Sequence, residues 1–554
     1  MRLSKSRRIV SSTGITGPPM ARKVQGEKPA RSAGRFPDKT MDNLLMPSQS
    51  PSSSLPSWRG VLASIDIGSN SFRLEIGQLS RGRYRRIDYL KETVRLGAGL
   101  DTEGQLSEEA ALRGLACLQR FRARLAGMPA RQLRAVATQT LREAANRNAF
   151  LERAAEALGH PVEVISGREE ARLIYKGVAR LQPAAHPRLV IDIGGRSTEL
   201  IIGAGATPLQ AESFGIGSVS LSMRYFGDGL FTEERFRAAQ IAAGAEFEEG
   251  LQTFSRQHWS EALGSSGTAG AVSQILAAAG VTDGAITPEG LAWCMQACVK
   301  AGRMDALDLP GLKPERRAVL GGGLAILAAL SAQFGITALQ PARGALRQGV
   351  IFDLQERIDA ERDPAHHDLR DDTVAELQQR FRADVMQARR VQLIAQQLHR
   401  QVQPKATADH QRELGWAAAL HEIGMMVSHH DHHRHSAYLI GHVDAAGFSQ
   451  TQQRRLADLV LGHRGGLRKI ELALADPALV WQVLSLRLAV LLCHARCAPE
   501  EPAPTLAADG RGVRVMLPAG WSERHPRSLH LLEAEGEAWT RVGALQLQTV
   551  RTGA

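Results

Sequence analysis

The sequence predicts an α/β fold in which two similar lobes face each other across a phosphate-sized cleft, followed by an all-helical domain and a small α/β cap. The first observation is a pair of matched acidic glycine loops, one beginning at Asp66 and the other at Asp192. Each loop lies between two apolar runs that are typical of buried strands. The second observation is that strand-like runs vanish after residue 357 and return only in residues 511–554.

The first 57 residues differ in composition from the rest of the chain. They hold ten Lys and Arg against three acidic residues, and so carry +7 of the net charge of +11. Because they are rich in Ser, Pro and Gly and lack apolar periodicity, residues 1–57 are expected to form a disordered basic tail. The remaining charge of about +4 gives no reason to expect nucleic-acid binding by the folded part.

The first lobe is expected to span residues 58–180. Strands at 61–65 and 72–79 flank the Asp66 loop, and a third strand is indicated at 87–90. The later segments predict, in chain order, a helix at 107–125, a strand at 133–138, a helix at 140–158, a strand at 162–165 and a helix at 171–181.

The second lobe, residues 181–357, repeats this organisation around the Asp192 hairpin. Glycines 321–323 are expected to open an apolar helix at 324–334, where close packing is favoured over ligand contact. An all-helical domain at 358–500 and a Pro/Ala/Gly-rich linker at 501–510 follow. Residues 511–554 predict a strand, a helix and a strand, which form the cap.

Composition also constrains the compartment. Five cysteines are a low, odd number for 554 residues, which fits a reducing cytoplasm. There is no run of 18 or more apolar residues, so no membrane span is expected, while peripheral membrane association stays open.

The two loops have the residue types that phosphate binding requires. Backbone N–H groups in a tight glycine turn, together with Ser and Thr hydroxyls, can surround phosphate oxygens. The Asp at the end of each first strand can hold Mg²⁺ directly or through water. One such loop alone also fits an ordinary hairpin turn. Likewise, Ser266-Gly267-Thr268 before an apolar helix fits either a helix cap or an anion site.

Several motifs, in this order and spacing, resemble the exopolyphosphatase / guanosine pentaphosphate phosphatase family. The matching segments lie at 66–72, 94–97, 137–142, 165–172, 191–195, 197–200 and 264–268, and farther on at 416–418, 420–424 and 433–438. The resemblance covers roughly residues 58–554. It implies two ribonuclease-H-like lobes of the actin-like ATPase superfamily, and a C-terminal helical domain similar to the HD-type phosphohydrolases.

The resemblance also implies a Mg²⁺-dependent phosphoanhydride hydrolase. Such an enzyme releases terminal orthophosphate from inorganic polyphosphate, or removes the 5′ γ-phosphate from guanosine pentaphosphate, and it is expected to be a homodimer. Glu170 matches the base for water, and Asp192 and Glu199 match the acids at the metal and phosphate. An alternative for Glu169 and Glu170 is a favourable position near the positive start of a helix.

The candidate site residues fall into three groups. The catalytic candidates are Glu170, Glu169 and Arg142, the last as a fork for phosphate. The phosphate-binding candidates are Gly68, Ser69, Asn70, Ser71, Gly194, Gly195, Ser197, Thr198, Ser266, Gly267 and Thr268. The metal candidates are Asp192 and Glu199, with Asp66 in the second shell.

One departure from the family pattern leaves other functions open. Arg196 stands where the family usually carries a third glycine; if that position needs a positive φ, an arginine costs on the order of 1 kcal/mol or more. Arg196 either adds a phosphate contact or obstructs the substrate. A non-catalytic sensor of polyphosphate and an actin-like ATPase, which would need an adenine pocket near 321–323, are therefore the alternatives from other functional classes.

Seven histidines lie between His421 and His442, a density that is typical of metal binding. The HD-type metal site needs a His-Asp pair, however, and here the pair is His421-Glu422. The extra methylene of Glu displaces the carboxylate from the position that a metal shell requires. A structural role in packing, dimerisation or channel shape is therefore expected for this segment.

Overall fold

Two five-stranded sheets with the same topology form the two lobes. The computed structural model describes residues 58, 60–80, 82–363, 366–497 and 499–551, so the predicted tail at 1–57 lies outside the described residues. The first sheet has the order β3-β2-β1-β4-β5 and the second has the order β8-β7-β6-β9-β10. The strands are β1 Val61–Ile67, β2 Phe72–Ser80, β3 Arg83–Glu92, β4 Leu133–Ala137, β5 Val162–Val164, β6 Arg188–Ile193, β7 Thr198–Ala204, β8 Thr207–Phe214, β9 Glu261–Ser265 and β10 Gln340–Pro341.

The strand directions correspond between the two sheets. In each, a central strand (β1 or β6) pairs antiparallel with the next strand along the chain and parallel with a strand that follows a helix. Asp66 and Asp192 each lie near the end of this central strand, before the turn. The prediction of two matching strand–turn–strand hairpins is confirmed.

Ten helices cover these sheets within the described residues. They are α1 Glu108–Arg124, α2 Gln139–Glu143, α3 Arg147–Leu158, α4 Gly167–Leu181, α5 Ser218–Phe226, α6 Glu233–Phe247, α7 Ser266–Ala278, α8 Pro288–Ala301, α9 Arg317–Phe334 and α10 Leu346–Arg362.

The single helix predicted at 140–158 is wrong, because the chain forms α2 and α3 instead. Ala144 after α2 is extended, with φ −60° and ψ 119°. The Asn146 amide accepts from the backbone N–H of Leu106 at 3.0 Å and donates to its carbonyl at 3.0 Å. These side-chain bonds to a distant backbone hold the break between the helices, which residue periodicity does not show.

The glycines at 321–323 lie inside α9 rather than at its start. A β-carbon at Gly322 would lie 2.6 Å from the Ser218 carbonyl oxygen, and one at Gly323 would lie 2.6 Å from Cγ2 of Thr268. The triplet therefore lets α9 approach α5 and α7 closely, as the packing interpretation expects. By length and hydropathy alone, Pro314–Phe334 could cross a membrane, but 61% of its most apolar 18-residue window is buried in the structure.

Helix α10 returns from the second lobe to the first. Ile351, Leu354 and Ile358 of α10 form a buried cluster with Leu62 of β1. α10 also packs along α4, the helix that carries Glu169 and Glu170. This return connects the end of the second lobe to the base of the first.

The C-terminal part contains helices and a three-stranded sheet around one apolar core. The elements are α11 Leu369–Arg380, α12 Val385–Val402, α13 Ala408–Leu420, α14 His432–His442, α15 Gln450–Gly462, α16 Pro477–Leu492, β11 Thr505–Asp509, β12 Gly512–Leu517, α17 Trp521–Arg524, α18 Pro526–Val542 and β13 Gln546–Arg551. The linker predicted at 501–510 is wrong in part, because β11 pairs antiparallel with β12. β12 supplies hydrogen-bond partners for the backbone of β11, and the Pro/Ala/Gly-rich composition of this segment does not indicate such a pairing.

Candidate active site

A polar cleft of about 330 Å³ lies where the two hairpin turns face each other. Both predicted loops, the start of α4 and the start of α7 line it. The candidates that line it are Asp66, Gly68, Ser69, Asn70, Ser71, Glu170, Asp192, Gly194, Gly195, Ser197, Ser266, Gly267 and Thr268. The lobes thus bring most of the predicted set together.

The loop N–H groups supply donors for an anion. Within the described residues, the backbone N–H groups of Ser69, Asn70, Gly195 and Gly267 make no hydrogen bond. The N–H of Gly194, in contrast, donates to the Ser197 carbonyl at 2.9 Å. Four unused N–H groups around one cleft can donate hydrogen bonds to the oxygens of a phosphate.

Ser266 and Thr268 hold the start of α7 against the end of β6. Both hydroxyls donate to the Ile193 carbonyl at 3.0 Å, so they serve the loop rather than an anion. Ser266 has φ +76°, a conformation that costs a non-glycine residue roughly 1–2 kcal/mol. The following N–H, that of Gly267, lies in the first turn of α7, where helix N–H groups have no intrahelical partner, so it can bind an anion.

Glu170 lies in the first turn of α4 and faces the cleft. Its Oε2 accepts from Arg142 Nη1 at 2.7 Å. Burial raises the pKa of Glu170 to about 7; Arg142 opposes the rise, while Asp192 and Asp66 add to it. Burial and the two neighbouring carboxylates therefore outweigh the ion pair.

Arg142 is positioned differently from its predicted role. Its Nε donates to Gln139 and its Nη1 donates to both Glu170 and the Ile165 carbonyl, whereas Nη2 is buried without a partner. The guanidinium does not line the cleft. Arg142 therefore orients Glu170 and is not placed as a fork for phosphate.

Glu169 turns away from the cleft, although it is adjacent to Glu170. Its carboxylate accepts from Arg172 at 2.7 and 2.8 Å and from the backbone N–H of Gly447 at 2.9 Å. Successive helical residues point about 100° apart, so only one of the two can face the substrate. The structure gives Glu169 a supporting contact to the helical domain instead of the predicted catalytic position.

Thr198 and Glu199 lie behind the second loop. Thr198 Oγ1 donates to the Ile216 carbonyl at 2.7 Å and does not face the cleft, contrary to its predicted phosphate role. Glu199 is 1% exposed; its Oε1 accepts from Ser213 Oγ at 2.8 Å, and its Oε2 has no partner.

The buried carboxylates provide a test of whether the site fits a divalent cation. Burial raises the pKa of Asp192 and raises that of Glu199 well above its usual range, and Glu170 and Asp192 both repel the Glu199 charge. Such a group of acids favours a cation between them. Asp66 is already paired with Arg73 at 2.9 Å, which suits a hydrogen bond to a metal-bound water rather than direct contact with the ion.

The same carboxylates fit a hydrated ion rather than a fully protein-made cage. Within the described residues, no three His, Cys, Asp or Glu side chains surround one point at ligand distance. Mg²⁺ usually keeps several waters and takes one or two carboxylates together with substrate phosphates. Asp192 lines the cleft and Oε2 of Glu199 has no hydrogen-bond partner, so these two carboxylates fit this requirement, although Glu199 itself lies behind the loop and does not line the cleft.

A wall of cations is the feature that the sequence did not reveal. The residues are Arg73, Arg86, Lys91, Arg316, Arg343 and Arg347. They come from β2, β3, the approach to α9 and the start of α10, and no local motif relates them. Only strand pairing and the return of α10 bring them to one cleft.

Only part of this wall is balanced by acids. Arg73 pairs with Asp66 at 2.9 Å and Arg347 with Glu75 at 3.2 Å, whereas the other four cations make no ion pair among the described residues. Burial lowers the pKa of Lys91 most, and repulsion from Arg316 and Arg73 lowers it further. Burial is also the main cause that lowers the pKa of Arg316, and repulsion from Arg73 adds to it. A β-carbon at Gly267 would lie 1.9 Å from Arg316 Nη2, so this guanidinium rests against a loop N–H that is free to bind an anion. The arrangement favours a ligand with several negative charges.

Arg196 connects the two lobes beside the cleft. Its Nη2 lies 2.7 Å from Glu143 Oε2, and its Nη1 donates to the Gly97 carbonyl at 3.3 Å. Its φ is not positive, so the backbone strain considered for an arginine at this position does not occur. The side chain does not line the cleft either.

Replacing Arg196 with glycine should change kcat by less than about threefold, which corresponds to ~0.6 kcal/mol of barrier. Glu143 and Gly97 already satisfy the guanidinium, so its removal should mainly lower stability, by about 0.2–1 kcal/mol for a partly exposed pair. Phosphate-release kinetics and thermal unfolding measure both quantities.

Glu143→Gln is the matched control, because it weakens the same ion pair from the other lobe. The two variants should show similar shifts in Tm. A tenfold or larger loss of kcat in Arg196→Gly alone would mean that the guanidinium takes part in the reaction.

Comparisons with known proteins identify the family of this chain. The model of the Ppx/GppA phosphatase family matches residues 77–358, and that of Ppx/GppA phosphatase domain III matches residues 369–536. Among solved structures, an exopolyphosphatase from Cytophaga hutchinsonii is 24% identical over 53% of this chain and 98% of that chain, with a TM-score of 0.49. A PPX-GPPA enzyme from Aquifex aeolicus is 25% identical over 52% of this chain and 98% of that chain, with a TM-score of 0.45. Since the first family model alone covers half of the sequence, the chain belongs to the Ppx/GppA phosphatase family.

Proposed function

We propose that this protein is a Mg²⁺-dependent exopolyphosphatase, which hydrolyses the terminal phosphoanhydride bond of inorganic polyphosphate and releases orthophosphate. The observation that carries the proposal is a wall of cations, in which Lys91 and Arg316 make no ion pair among the described residues, opposite the buried carboxylate of Glu170. Lys91 and Arg316 repel each other at the mouth, while Glu170 lies at the base with a pKa of about 7. A chain of phosphates complements the wall, and its last phosphate reaches Glu170.

The N–H donors and Glu170 perform complementary steps. The N–H groups of Ser69, Asn70, Gly195 and Gly267 bind oxygens of the terminal phosphate and stabilise its charge in the transition state. Glu170 orients a water molecule and accepts its proton as the water oxygen bonds to phosphorus. The bond from phosphorus to the bridging oxygen breaks, and the shortened chain keeps the electron pair.

Asp192 and Glu199 would hold Mg²⁺, with Asp66 hydrogen-bonded to its water. When bound, the ion neutralises phosphate charge and helps to align the terminal group. Arg142 keeps the Glu170 carboxylate pointed at the cleft. We infer no further role for Glu169 in the reaction.

Guanosine pentaphosphate is the second candidate substrate, and its hydrolysis occurs in the same family. Its 5′ triphosphate offers a similar anionic end, and the described cleft does not present a clear base-binding pocket to separate the two. The ATPase alternative is less favoured, because the glycines at 321–323 are closed by α5 and α7 and leave no space for adenine. A homodimer and a cytoplasmic location remain part of the proposal.

The deciding experiment is orthophosphate release by the purified chain with Mg²⁺, on long-chain polyphosphate and on guanosine pentaphosphate in parallel. A higher kcat/KM for polyphosphate supports the proposal, and a higher value for the nucleotide supports the second candidate. Binding of either substrate without any release would indicate a sensor.

The pH profile should report Glu170. Because the base must be ionised, kcat/KM should rise about tenfold per pH unit below the pKa of about 7 and level off above it. A bound cation favours the ionised form and moves the midpoint downward. A profile that stays flat from about pH 5 to 8 would argue against Glu170 as the base.

Lys91→Gln and Arg316→Gln should each raise the KM for polyphosphate roughly fivefold at low salt, with little change in kcat, since each removes ~1 kcal/mol of attraction. The effect should shrink as salt is added, because exposed charges are screened. Arg237→Gln is the matched control, an exposed arginine of α6 that does not line the cleft. Equal effects in all three variants would mean that only net charge matters.

A further inference from the structure

Four buried histidines come together in the helical domain, outside the phosphate cleft. His421 follows α13, His432 and His433 begin α14, and His463 follows α15. These residues are 1%, 3%, 6% and 2% exposed, respectively. The ends of three helices therefore meet at imidazole rings instead of aliphatic side chains.

The hydrogen bonds of three rings fix the tautomer. Nδ1 of His421 bonds the Ala418 carbonyl at 2.7 Å, and Nδ1 of His463 bonds the Val460 carbonyl at 2.5 Å. Nδ1 of His432 bonds the His429 carbonyl at 3.2 Å. A carbonyl only accepts, so each Nδ1 carries the proton and each Nε2 presents a lone pair. Histidines that bind metals are held by backbone carbonyls in this way.

Two of these Nε2 atoms have no partner. Nε2 of His421 and Nε2 of His463 are buried without a hydrogen bond in the part of the chain that the structure describes. A buried polar atom left unsatisfied is unfavourable and calls for an explanation. Their rings are 5.3 Å apart between centres, and the His432 and His463 rings are 5.6 Å apart. Two imidazoles that share a tetrahedral zinc ion, at about 2.0–2.1 Å per bond, have ring centres roughly 5 Å apart.

We propose that His421, His432 and His463 bind one Zn²⁺-class transition-metal ion through Nε2. Imidazole nitrogens favour zinc, cobalt or nickel over Mg²⁺, so this ion is distinct from the one in the phosphate cleft. In the present rotamers, no three ligand atoms among the described residues converge on one point, so the proposal requires the three rings to turn toward the ion as it binds. The ion ties the ends of α13 and α15 to the start of α14.

The fourth coordination position is available to water or to Glu422. Oε1 of Glu422 lies 3.9 Å from Nε2 of His421 and also accepts from Arg496 at 2.9 Å. The sequence argument against a metal site at His421-Glu422 assumed that a carboxylate ligand is required. Three imidazoles supply the ligands without it.

The test is a titration of the metal-depleted full-length chain with Co²⁺ in excess Mg²⁺. We expect one Co²⁺ per chain, the intense visible absorption of a tetrahedral site, and its displacement by Zn²⁺. His463→Gln and His432→Gln should each weaken binding by at least 10–100-fold, the range already reached when only outer-shell partners are changed. Circular dichroism checks that each variant folds, and if one of the two does not fold, the other still tests the proposal.

His430→Gln is the matched control, because its side chain is 93% exposed in the same segment, and it should bind Co²⁺ as the unchanged chain does. Three results would overturn the proposal. They are no saturable binding, binding that survives in both buried-histidine variants, or binding that is lost in Asp192→Asn, which would assign the ion to the phosphate cleft.

Discussion

Glu170→Gln should lower kcat by about 10²–10⁴-fold, the usual contribution of a general base, while polyphosphate binding persists. The amide keeps the size of the side chain and its acceptor oxygen toward Arg142, but it cannot take a proton from water. It also removes one negative charge from a cleft that must bind an anion. Phosphate-release kinetics measure kcat, and calorimetric titration measures binding.

Glu169→Gln is the matched control for this change. Its carboxylate bonds Arg172 and the Gly447 N–H away from the cleft, so kcat should fall far less than in Glu170→Gln, whereas Tm should fall more. Near-normal turnover in Glu170→Gln, or equal losses of kcat in the two variants, would remove Glu170 as the base.

Glu170→Gln should also be more stable than the unchanged protein at alkaline pH without divalent cations. Folding raises the pKa of Glu170 from 4.5 to about 7, so its contribution to stability is full below pH 4.5 and is lost as the pH rises through 7. Glutamine does not ionise and avoids this loss. The Tm advantage of Glu170→Gln should therefore be present at pH 8 and shrink toward pH 5.

Asp353→Asn should reduce the free energy of unfolding by about 3–5 kcal/mol, the cost of leaving buried charges unpaired. Asp353 on α10 accepts from Arg134 at 2.7 Å, Arg172 at 2.6 Å and Arg357 at 2.8 Å. Burial alone would raise its pKa, but Arg357, Arg172 and Arg134 together hold it well below the usual range. Denaturant unfolding at neutral pH measures the loss.

Asp359→Asn is the matched control on the same helix, because its carboxylate accepts only from Gln355 at 2.7 Å among the described residues. It should change stability by less than about 0.5 kcal/mol, as surface substitutions usually do. If Asp353→Asn stays within about 1 kcal/mol of the unchanged chain, then the remaining acids already balance the arginines.

The arginines that bond Asp353 connect α4, the helix that carries Glu170, to the helical domain. Arg172, which bonds Asp353, also bonds Glu169 on α4, next to Glu170. Arg357 donates to the Gly447 carbonyl at 2.7 Å, while the Gly447 N–H donates to Glu169. The backbone of residue 447 thus closes a network around α4, which explains how a distant domain supports the position of Glu170.

Local sequence determined the two hairpins and most of the cleft. The loops after Asp66 and Asp192 depend on residues that are adjacent in the chain, and the periodicity of the flanking runs predicts their strands. The placement of Glu170 at the start of a helix follows from the same local pattern. The break at Ala144 escaped prediction because Asn146 bonds the backbone of Leu106, forty residues away in the chain.

The tertiary structure decided which of these residues serve the site. Helical geometry turns Glu169 toward Arg172 and leaves Glu170 in the cleft, although residue type and helix position alone do not distinguish the two acids. Strand pairing and the return of α10 bring Lys91, Arg316 and Arg347 to one wall, and helix packing brings His421 to His463. These contacts join residues that are far apart in the chain, and their energies depend on burial and distance, which a local pattern does not contain.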